Sequence, residues 1–138
     1  MTSRDERDAC KVFAERYAAP TTTLTDEIEQ RVMGATWGVN GYCTVEQADE
    51  LARRLALGPG VRVLDVGTGR GWPGVYFAAR HGCHVVGTDM PIDALAAATG
   101  RARREGVAER FAAVVAAGGR QPFRSASFDA IVHSDVLC

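Results

Sequence analysis

Residues Val61-Arg-Val-Leu-Asp-Val66, followed by Gly67-Thr-Gly-Arg-Gly71, are the most informative part of the sequence for the fold class. The first six residues are mostly apolar and β-branched, which is typical of a buried strand. The glycines that follow let the backbone turn sharply and let a ligand approach the main chain closely. Residues 72–81 have a helical pattern, with Pro73 tolerated in the first turn. A strand, a glycine loop and a helix are therefore predicted in direct succession.

The same alternation continues along the chain. We predict strands at 83–89, 111–116 and 128–133, and a helix over 91–105 that is closed by Gly106. Strands that alternate with helices imply a parallel sheet with right-handed crossovers. Apolar strands indicate a sheet covered on both faces. The predicted fold class is therefore α/β, a Rossmann-like arrangement of three αβα layers.

The first 58 residues are predicted to be helical. One helix covers about residues 4–17, and a second starts near residues 21–25 and reaches Met33, where Gly34 can take the left-handed cap position. A third opens at Thr44, with Gln47 in capping-box spacing, and stops hard at residues 58–60. We predict a helical N-terminal cap or lid at 1–58 and a ligand-binding domain at 59–138.

Two acidic residues refine the prediction for the ligand. In parallel sheets, ligands bind at the carboxyl ends of the strands, and a helix N-terminus after a glycine loop favours an anion. The dinucleotide fingerprint would need glycine where Trp72 stands. Asp65 would repel a pyrophosphate but attract an ammonium group, and Asp89 can accept hydrogen bonds from both hydroxyls of a ribose. The alternatives without a ligand are a tight turn for the glycine loop and a helix N-cap for Asp89, beside Pro91.

These residues resemble a known family. Asp65 and the three loop glycines are similar to the first motif of the class I S-adenosylmethionine (SAM) dependent methyltransferases, and Asp89 matches their ribose-binding acid. Residues 121–137 resemble the stretch that leads into strand four in small-molecule methyltransferases, including those of quinone biosynthesis. The resemblance implies the strand order 3-2-1-4. It also implies methyl transfer to oxygen, nitrogen or carbon of a small-molecule acceptor, with S-adenosylhomocysteine (SAH) as the product.

The resemblance also implies roles for individual residues. The glycines would lie along the methionine part of SAM, Asp65 would hold its amine directly or through water, and Met90 would pack on the adenine. The implied cofactor-binding residues are Asp65, Gly67, Thr68, Gly69, Gly71, Asp89, Met90, Ala117, Gly118 and Ser134. His133 and Asp135 are candidates for a catalytic base, which is needed only if the acceptor must lose a proton. Their alternative role is a hydrogen-bonded strand end.

The chain departs from the family pattern at two places. Ala117 stands where many relatives have an acid that accepts from the adenine amine, although backbone groups at Gly118 could still read the base. Relatives also continue beyond the position of Cys138 with a helix and about three more strands, in the order 3-2-1-4-5-7-6. We therefore expect strand four to be an exposed edge, open to self-association or to a partner chain. Either the chain is a fragment or something else completes its sheet.

Composition excludes several classes of protein. Lysine and arginine total 16 and aspartate and glutamate 17, so a net charge of -1 offers no general attraction to nucleic acid or to an anionic membrane. The charged start is no signal peptide, and no apolar run approaches the roughly 20 residues of a membrane helix. Without a C-x-x-C pair, and with divergent side chains expected at His81, Cys83 and His84, no metal is predicted. The predicted location is the cytoplasm, with free thiols.

Two rival functions remain open at this point. One is a non-catalytic SAM-binding or scaffold fragment that needs a partner chain, and the other is a nucleotide-binding oxidoreductase, against which Asp65 and Trp72 argue. Three further features are interpreted as structural or left open. Arg101, Arg103 and Arg104 are interpreted as a solvated helix face, and Tyr17 as helix packing. Trp37 and Tyr42 are equally compatible with a lid and with an anchor for the N-terminal helices.

Overall fold

The computed structural model describes residues 4–38 and 43–134. Within these ranges no helix is long and apolar enough to cross a membrane. The elements, in chain order, are α1 (Arg4–Ala18), α2 (Thr23–Met33), α3 (Val45–Arg54), β1 (Arg62–Val66), α4 (Gly74–His81), β2 (His84–Asp89), α5 (Ile92–Arg104), β3 (Phe111–Val115) and β4 (Ala130–His133).

The four strands form one parallel sheet in the order β3-β2-β1-β4. In the central row of the sheet, Leu64 of β1 lies between Val86 of β2 and Ile131 of β4. The predicted α/β class and the strand order 3-2-1-4 are therefore confirmed. Because β1 is central, the glycine loop that follows it emerges in the middle of the carboxyl edge.

The hydrophobic core lies between the sheet and helices α4 and α5, which contact β2 and β3. Val63 and Val85 point into it from neighbouring strands, and Phe77 of α4 is fully buried against them. Cys83, just before β2, is also fully buried, and this burial raises the pKa of its thiol to about 11. The opposite face of the sheet is less covered within the described residues, where Ile131 is 63% exposed.

The helix caps predicted from short motifs are confirmed. The hydroxyl of Thr44 accepts from the Gln47 N–H at 3.2 Å, and the Gln47 side chain accepts from the Thr44 N–H at 2.9 Å, which completes the capping box. Thr22 caps α2 in the same reciprocal way with Thr25, where the sequence predicts only a helix start near residues 21–25. Gly34 ends α2 with φ +83°, in the left-handed region. These bonds satisfy backbone groups that helix ends leave without partners.

The predicted end of the third helix is wrong by four residues. Helix α3 ends at Arg54 and not at Gly58, because Ala56 adopts the left-handed region with φ +49°. The N–H of Leu57 then donates to the carbonyl of Ala52 at 2.9 Å, and the N–H of Ala56 to that of Arg53 at 3.2 Å. This pair of bonds is a Schellman motif. It turns Leu57 inward to pack on the core.

Two predicted starts are also early. Helix α4 begins at Gly74, because the N–H of Trp72 still donates to the carbonyl of Thr68 in the loop turn. Strand β4 begins at Ala130, and the residue before it, Asp129, binds Arg62 at the start of β1. The Asp129 carboxylate accepts from the Arg62 N–H at 2.8 Å and from its guanidinium at 2.9 and 3.1 Å. These bonds lower the pKa of Asp129 to about 2 and tie the entry of β4 to β1.

Candidate functional site

The glycine loop needs its glycines for conformation and for space. Gly67, Gly69 and Gly71 have φ of +74°, +54° and +98°, a region that side chains disfavour. A Cβ on Gly71 would lie 2.6 Å from Val75 Cγ2 and 3.3 Å from the Cβ of Ala98 on α5. Gly71 therefore permits close packing between the loop and α5. The N–H groups of Gly67 and Thr68 both donate to the carbonyl of Thr88, at 2.7 and 3.0 Å, so the loop folds onto the end of β2.

Asp65 is a fully buried carboxylate beneath this loop. Its Oδ2 accepts from the Thr68 hydroxyl at 2.7 Å and from the Gly74 N–H at 3.0 Å, which joins β1 to the loop and to the first turn of α4. Its Oδ1 has no hydrogen-bond partner among the described residues. Burial raises the pKa of Asp65 to about 7, against the effect of both hydrogen bonds, and the charge of Asp89 raises it further. Asp65 is thus a brace with one unused acceptor.

Asp89 ends β2 and holds the glycine loop from the other side. Its Oδ2 accepts from the Gly69 N–H at 2.8 Å, and its Oδ1 accepts from the Met90 N–H at 2.7 Å. Burial raises the pKa of this half-buried carboxyl, while the two backbone donors lower it. Asp89 does not take its alternative role as the N-cap of α5. Pro91 is the N-cap residue, and no side chain makes a capping hydrogen bond at this helix end.

The structure brings most of the predicted cofactor residues to one edge of the sheet. Asp65, the loop from Gly67 to Gly71 and Asp89 follow the neighbouring strands β1 and β2, and Met90 comes next in the chain. Ala117 and Gly118 follow β3, and the N–H of Ala116 donates to the Asp89 carbonyl at 3.0 Å. The carbonyls of Ala117 and Gly118 both accept from the side-chain amide of Gln121, at 3.1 and 3.3 Å.

The residues predicted at the end of β4 lie at the same edge of the sheet, because His133 pairs with Val66, the residue before the glycine loop. His133 and Ser134 border an open cleft of about 660 Å³ between β4 and α3. The other lining residues that the structure describes are Cys43, Glu46, Gln47, Glu50, Leu51 and Arg54. None of the described residues that line the cleft belongs to the glycine loop. His133 is exposed, and Asp135 lies outside the described residues.

Two residues near the site were missed by sequence reasoning. Arg70, at a variable position of the glycine loop, donates through Nη2 to the carbonyls of Tyr17 and Ala19, at 2.5 and 2.9 Å. Its guanidinium also lies over the Tyr17 ring, 5.9 Å from the centroid. Burial raises the pKa of Tyr17, and the charge of Asp89 contributes to the increase. No local pattern could reveal this contact, since it joins residues that are 53 positions apart.

Trp37 anchors the segment after α2 to the core. Trp37 packs edge-on against Tyr76, with ring centroids 5.1 Å apart, and the Trp72 indole N–H donates to the Cys43 carbonyl at 3.0 Å. Tyr42 lies outside the described residues. Among the arginines of α5, the structure leaves Arg103 and Arg104 exposed, as predicted. Arg101 differs, since it is half-buried and donates to the Thr36 carbonyl at 3.0 Å.

The described residues contain no group of three or more His, Cys, Asp or Glu side chains that could hold a metal ion. Cys83 is buried in the core, whereas His84 is exposed. His81 lies 3.6 Å from a carboxylate oxygen of Asp49. The three side chains that the sequence places close together therefore have different surroundings.

The fold and this edge of the sheet define a class I methyltransferase domain of the SAM-dependent kind. A family model described as a methyltransferase domain matches residues 63–138, and the chain belongs to this family. Among curated proteins, the chain is similar to the sterol methyltransferase-like 1 protein of Botryococcus braunii, with 32% identity over 102 residues. That match covers 74% of this chain but 26% of the relative, so the chain spans about a quarter of its length.

Solved structures agree with the fold. A SAM-dependent methyltransferase from Geobacter sulfurreducens, determined in complex with SAH, is 36% identical with a TM-score of 0.52 and covers 56% of this chain and 31% of its own. The geranyl diphosphate C-methyltransferase of Streptomyces coelicolor A3(2) aligns with 96% of this chain and 54% of its own, with a TM-score of 0.71. At 17% identity this second likeness shows the fold alone.

Proposed function

We propose that this domain binds SAM and takes part in methyl transfer to a small-molecule acceptor, with SAH as the product. The observation that carries the proposal is the placement of Asp65, the glycine loop and Asp89 at one carboxyl edge. There, a buried carboxylate with an unused acceptor, the glycine loop and a second acid that holds the loop lie at the ends of two neighbouring strands. The SAH complex of the Geobacter sulfurreducens relative supports the choice of cofactor.

The residues present fit this cofactor. The unused Oδ1 of Asp65 is an acceptor in a buried site, where an ammonium group would compensate the cost of an unpartnered oxygen. Asp89 would exchange its bond to the Gly69 N–H for bonds to the ribose hydroxyls, and Met90 would pack against the adenine. The backbone of Gly67, Gly69 and Gly71 would follow the methionine part, with Thr68 bracing the loop through Asp65. Ser134 is proposed near the methionine part, and Ala117 and Gly118 near the adenine.

The protein's own contribution to the chemistry is mainly positioning. When bound, SAM supplies an electrophilic methyl group on a sulfonium sulfur. The glycine loop and both acids would hold that group at the open edge of the sheet, and correct placement of two reactants supplies much of a rate enhancement. We propose His133 or Asp135 as the base for an acceptor that must lose a proton. His133 faces the cleft beside α3, which is our candidate for the acceptor site.

The acceptor class is supported by the relative's name alone. A sterol methyltransferase-like protein among the relatives favours a small molecule over a macromolecule. The methylated atom, oxygen, nitrogen or carbon, is left to an assay with SAM labelled in its methyl group. The lack of a nucleic-acid or membrane partner, the cytoplasmic location and the boundary between residues 58 and 59 also stay predictions.

Calorimetric titration of the folded chain with SAH tests the proposal. We expect binding by the wild type. Asp89→Ala should weaken binding by about 10- to 100-fold, because hydrogen bonds to a charged group are worth about 1.5–3 kcal/mol. Asp93→Ala is the matched control, since Asp93 is an exposed acid in the first turn of α5. No binding by a wild-type chain that circular dichroism shows to be folded would overturn the proposal.

A second candidate is a SAM-binding domain that acts only with another chain. The observation in its favour is β4, which has a strand neighbour on one side only within the described residues. Binding of SAH without methyl transfer, followed by transfer once a partner chain is added, would favour this candidate. Transfer by the isolated chain would exclude it.

A further inference from the structure

The C-terminal end of α1 is attached to the glycine loop by a side chain of the loop itself. Arg70 binds two carbonyls at this end, those of Tyr17 and Ala19, and its guanidinium lies over the Tyr17 ring. The last carbonyls of a helix have no partner within the helix and carry partial negative charge, so a cation there is favourable. Helix α1 also packs on α5, which fixes its direction. The end of α1 is therefore held at the carboxyl edge of the sheet.

The loop residue that makes this attachment lies between two residues that define the site. On one side of Arg70, the Gly69 N–H donates to Asp89 at 2.8 Å. On the other side, Gly71 packs against Ala98 of α5. The backbone that carries Arg70 is thus tied to the acid proposed to bind ribose. If Asp89 exchanged its hydrogen bond to Gly69 for bonds to a ligand, the backbone at Arg70 and the attached end of α1 would be able to shift.

The Tyr17 side chain lies within electrostatic reach of Asp89. Burial raises the pKa of the phenol and the charge of Asp89 raises it further, and a phenol is protonated and able to donate a hydrogen bond at neutral pH. Tyr17 is half-buried, and it stacks on Phe13 with ring centroids 6.2 Å apart. A phenol at this position is rigid, apolar over most of its surface and polar at its tip.

We propose that Tyr17 is a cofactor-positioning residue that closes the site over the ribose beside Asp89, and that Arg70 holds it there by binding the end of α1. The inference rests on the proposed function, because it needs a ribose at Asp89. It assigns to the N-terminal helices a direct part in cofactor binding. It also assigns a role to the variable position of the glycine motif.

The test compares SAH and adenosine binding by calorimetry in the wild type and three variants. Tyr17→Phe keeps the ring and removes the hydroxyl, and we expect both ligands to bind about three- to tenfold more weakly. Arg70→Ala should weaken binding at least as much, and Arg70→Lys should restore part of the loss, because an ammonium can still bind a carbonyl. Arg103→Ala, at an exposed arginine of α5, is the matched control and should bind like the wild type.

A second readout separates positioning from a general loss of structure. In the wild type, SAH should slow hydrogen exchange at the end of α1, whereas in Arg70→Ala it should slow exchange in the glycine loop but not in α1. In a double-mutant cycle, the effects of Tyr17→Phe and Arg70→Ala should be less than additive, because both remove the same contact with the ribose.

The outcomes distinguish this inference from the proposed function. If the folded wild type binds neither ligand, the proposed function fails and the inference fails with it. If the wild type binds SAH but Tyr17→Phe binds it equally well and α1 shows no protection, the inference alone is overturned. Tyr17→Phe decides the matter even if Arg70→Ala does not fold, since it leaves the ring contacts in place.

Discussion

The two oxygens of the Asp65 carboxyl group have different roles, one structural and one proposed for the ligand. Its Oδ2 holds Thr68 and Gly74, and a Cβ added to Gly74 would lie 2.6 Å from that oxygen, so the packing around it is tight. Its Oδ1 has no partner among the residues described. Burying a carboxylate with an unused oxygen is unfavourable for stability. The same oxygen is what an ammonium group would bind.

We predict that Asp65 makes the protein less stable as the pH rises from about 4 to about 7. The pKa of Asp65 is near 7 in the native state and 3.8 in the unfolded chain, so the native state binds more protons in this range. The stabilising contribution is complete below about pH 4 and is lost as the pH passes 7. The expected loss is on the order of 4 kcal/mol in the free energy of unfolding.

Urea unfolding measured from pH 4 to pH 8 checks this prediction. Asp65→Asn should flatten the dependence and be more stable than the wild type at pH 8, while binding SAH more weakly. Asp129 should not obscure the result, because its contribution changes mainly between its native pKa of about 2 and its unfolded pKa of 3.8, and in the opposite direction. A wild-type stability that does not fall between pH 4 and pH 7 would contradict the role of Asp65.

At the scale of elements, α3 and α5 end in the same motif with different residues. The N–H of Val107 donates to the Ala102 carbonyl at 2.8 Å, as that of Leu57 does to Ala52 in α3. The left-handed residue is Gly106 in one helix and Ala56 in the other. Glycine adopts this conformation without strain, whereas alanine does not. The left-handed conformation of Ala56 therefore costs stability at the end of α3, whereas Gly106 adopts it at the end of α5 without this cost.

We predict opposite effects for the exchange of these two residues. Ala56→Gly should raise the free energy of unfolding by about 0.5–1 kcal/mol, and Gly106→Ala should lower it by a similar amount. A Cβ at position 106 meets nothing within 4 Å, so the cost there is conformational and not a clash. Gly58→Ala, at a glycine with free space and no left-handed φ, provides the control. In thermal unfolding, Ala56→Gly should have the highest melting temperature and Gly106→Ala the lowest, with the control between them. A melting temperature that rises in Gly106→Ala would show the reasoning to be wrong.

The elements also show which features a sequence can reveal. The capping box of α3, Gly34 and the glycine loop were predictable, because each is a short pattern in which a residue type has one dominant physical use. The end of α3 was not, because a left-handed Ala56 has no compositional signal. The contact of Arg70 with Tyr17 was not, because it depends on how α1 lies across the sheet. The roles of individual cofactor residues remain predictions, although the structure brings most of them together.

At the scale of the molecule, the sheet has two different edges and two different faces. Helices α4 and α5 cover the face that carries Val63 and Val85. On the other face, Ile131 of β4 is 63% exposed in the described part of the chain. An open strand with an exposed apolar side chain favours pairing with another chain.

We predict that the purified chain associates through β4 as its concentration rises. Ile131→Lys should shift it toward the monomer, because a charge on an edge strand opposes pairing. Ile92→Lys is the control, since Ile92 is 70% exposed at the start of α5 and far from the strand edge in sequence. Sedimentation velocity over a range of concentrations measures the effect. Equal association by both variants and the wild type would exclude β4 as the interface.

The rate at which a thiol reagent labels the buried Cys83 measures how often the core of the protein opens. With a pKa near 11 and no exposed surface, it should resist thiol reagents in the native state, whereas Cys10 is partly exposed. In a chain whose other cysteines are replaced by serine, each labelling event at Cys83 would report an opening of the core. A ligand that binds only the folded state must slow that labelling in proportion to its affinity and concentration. Cofactor candidates could then be ranked by a reaction rate, without knowledge of the acceptor.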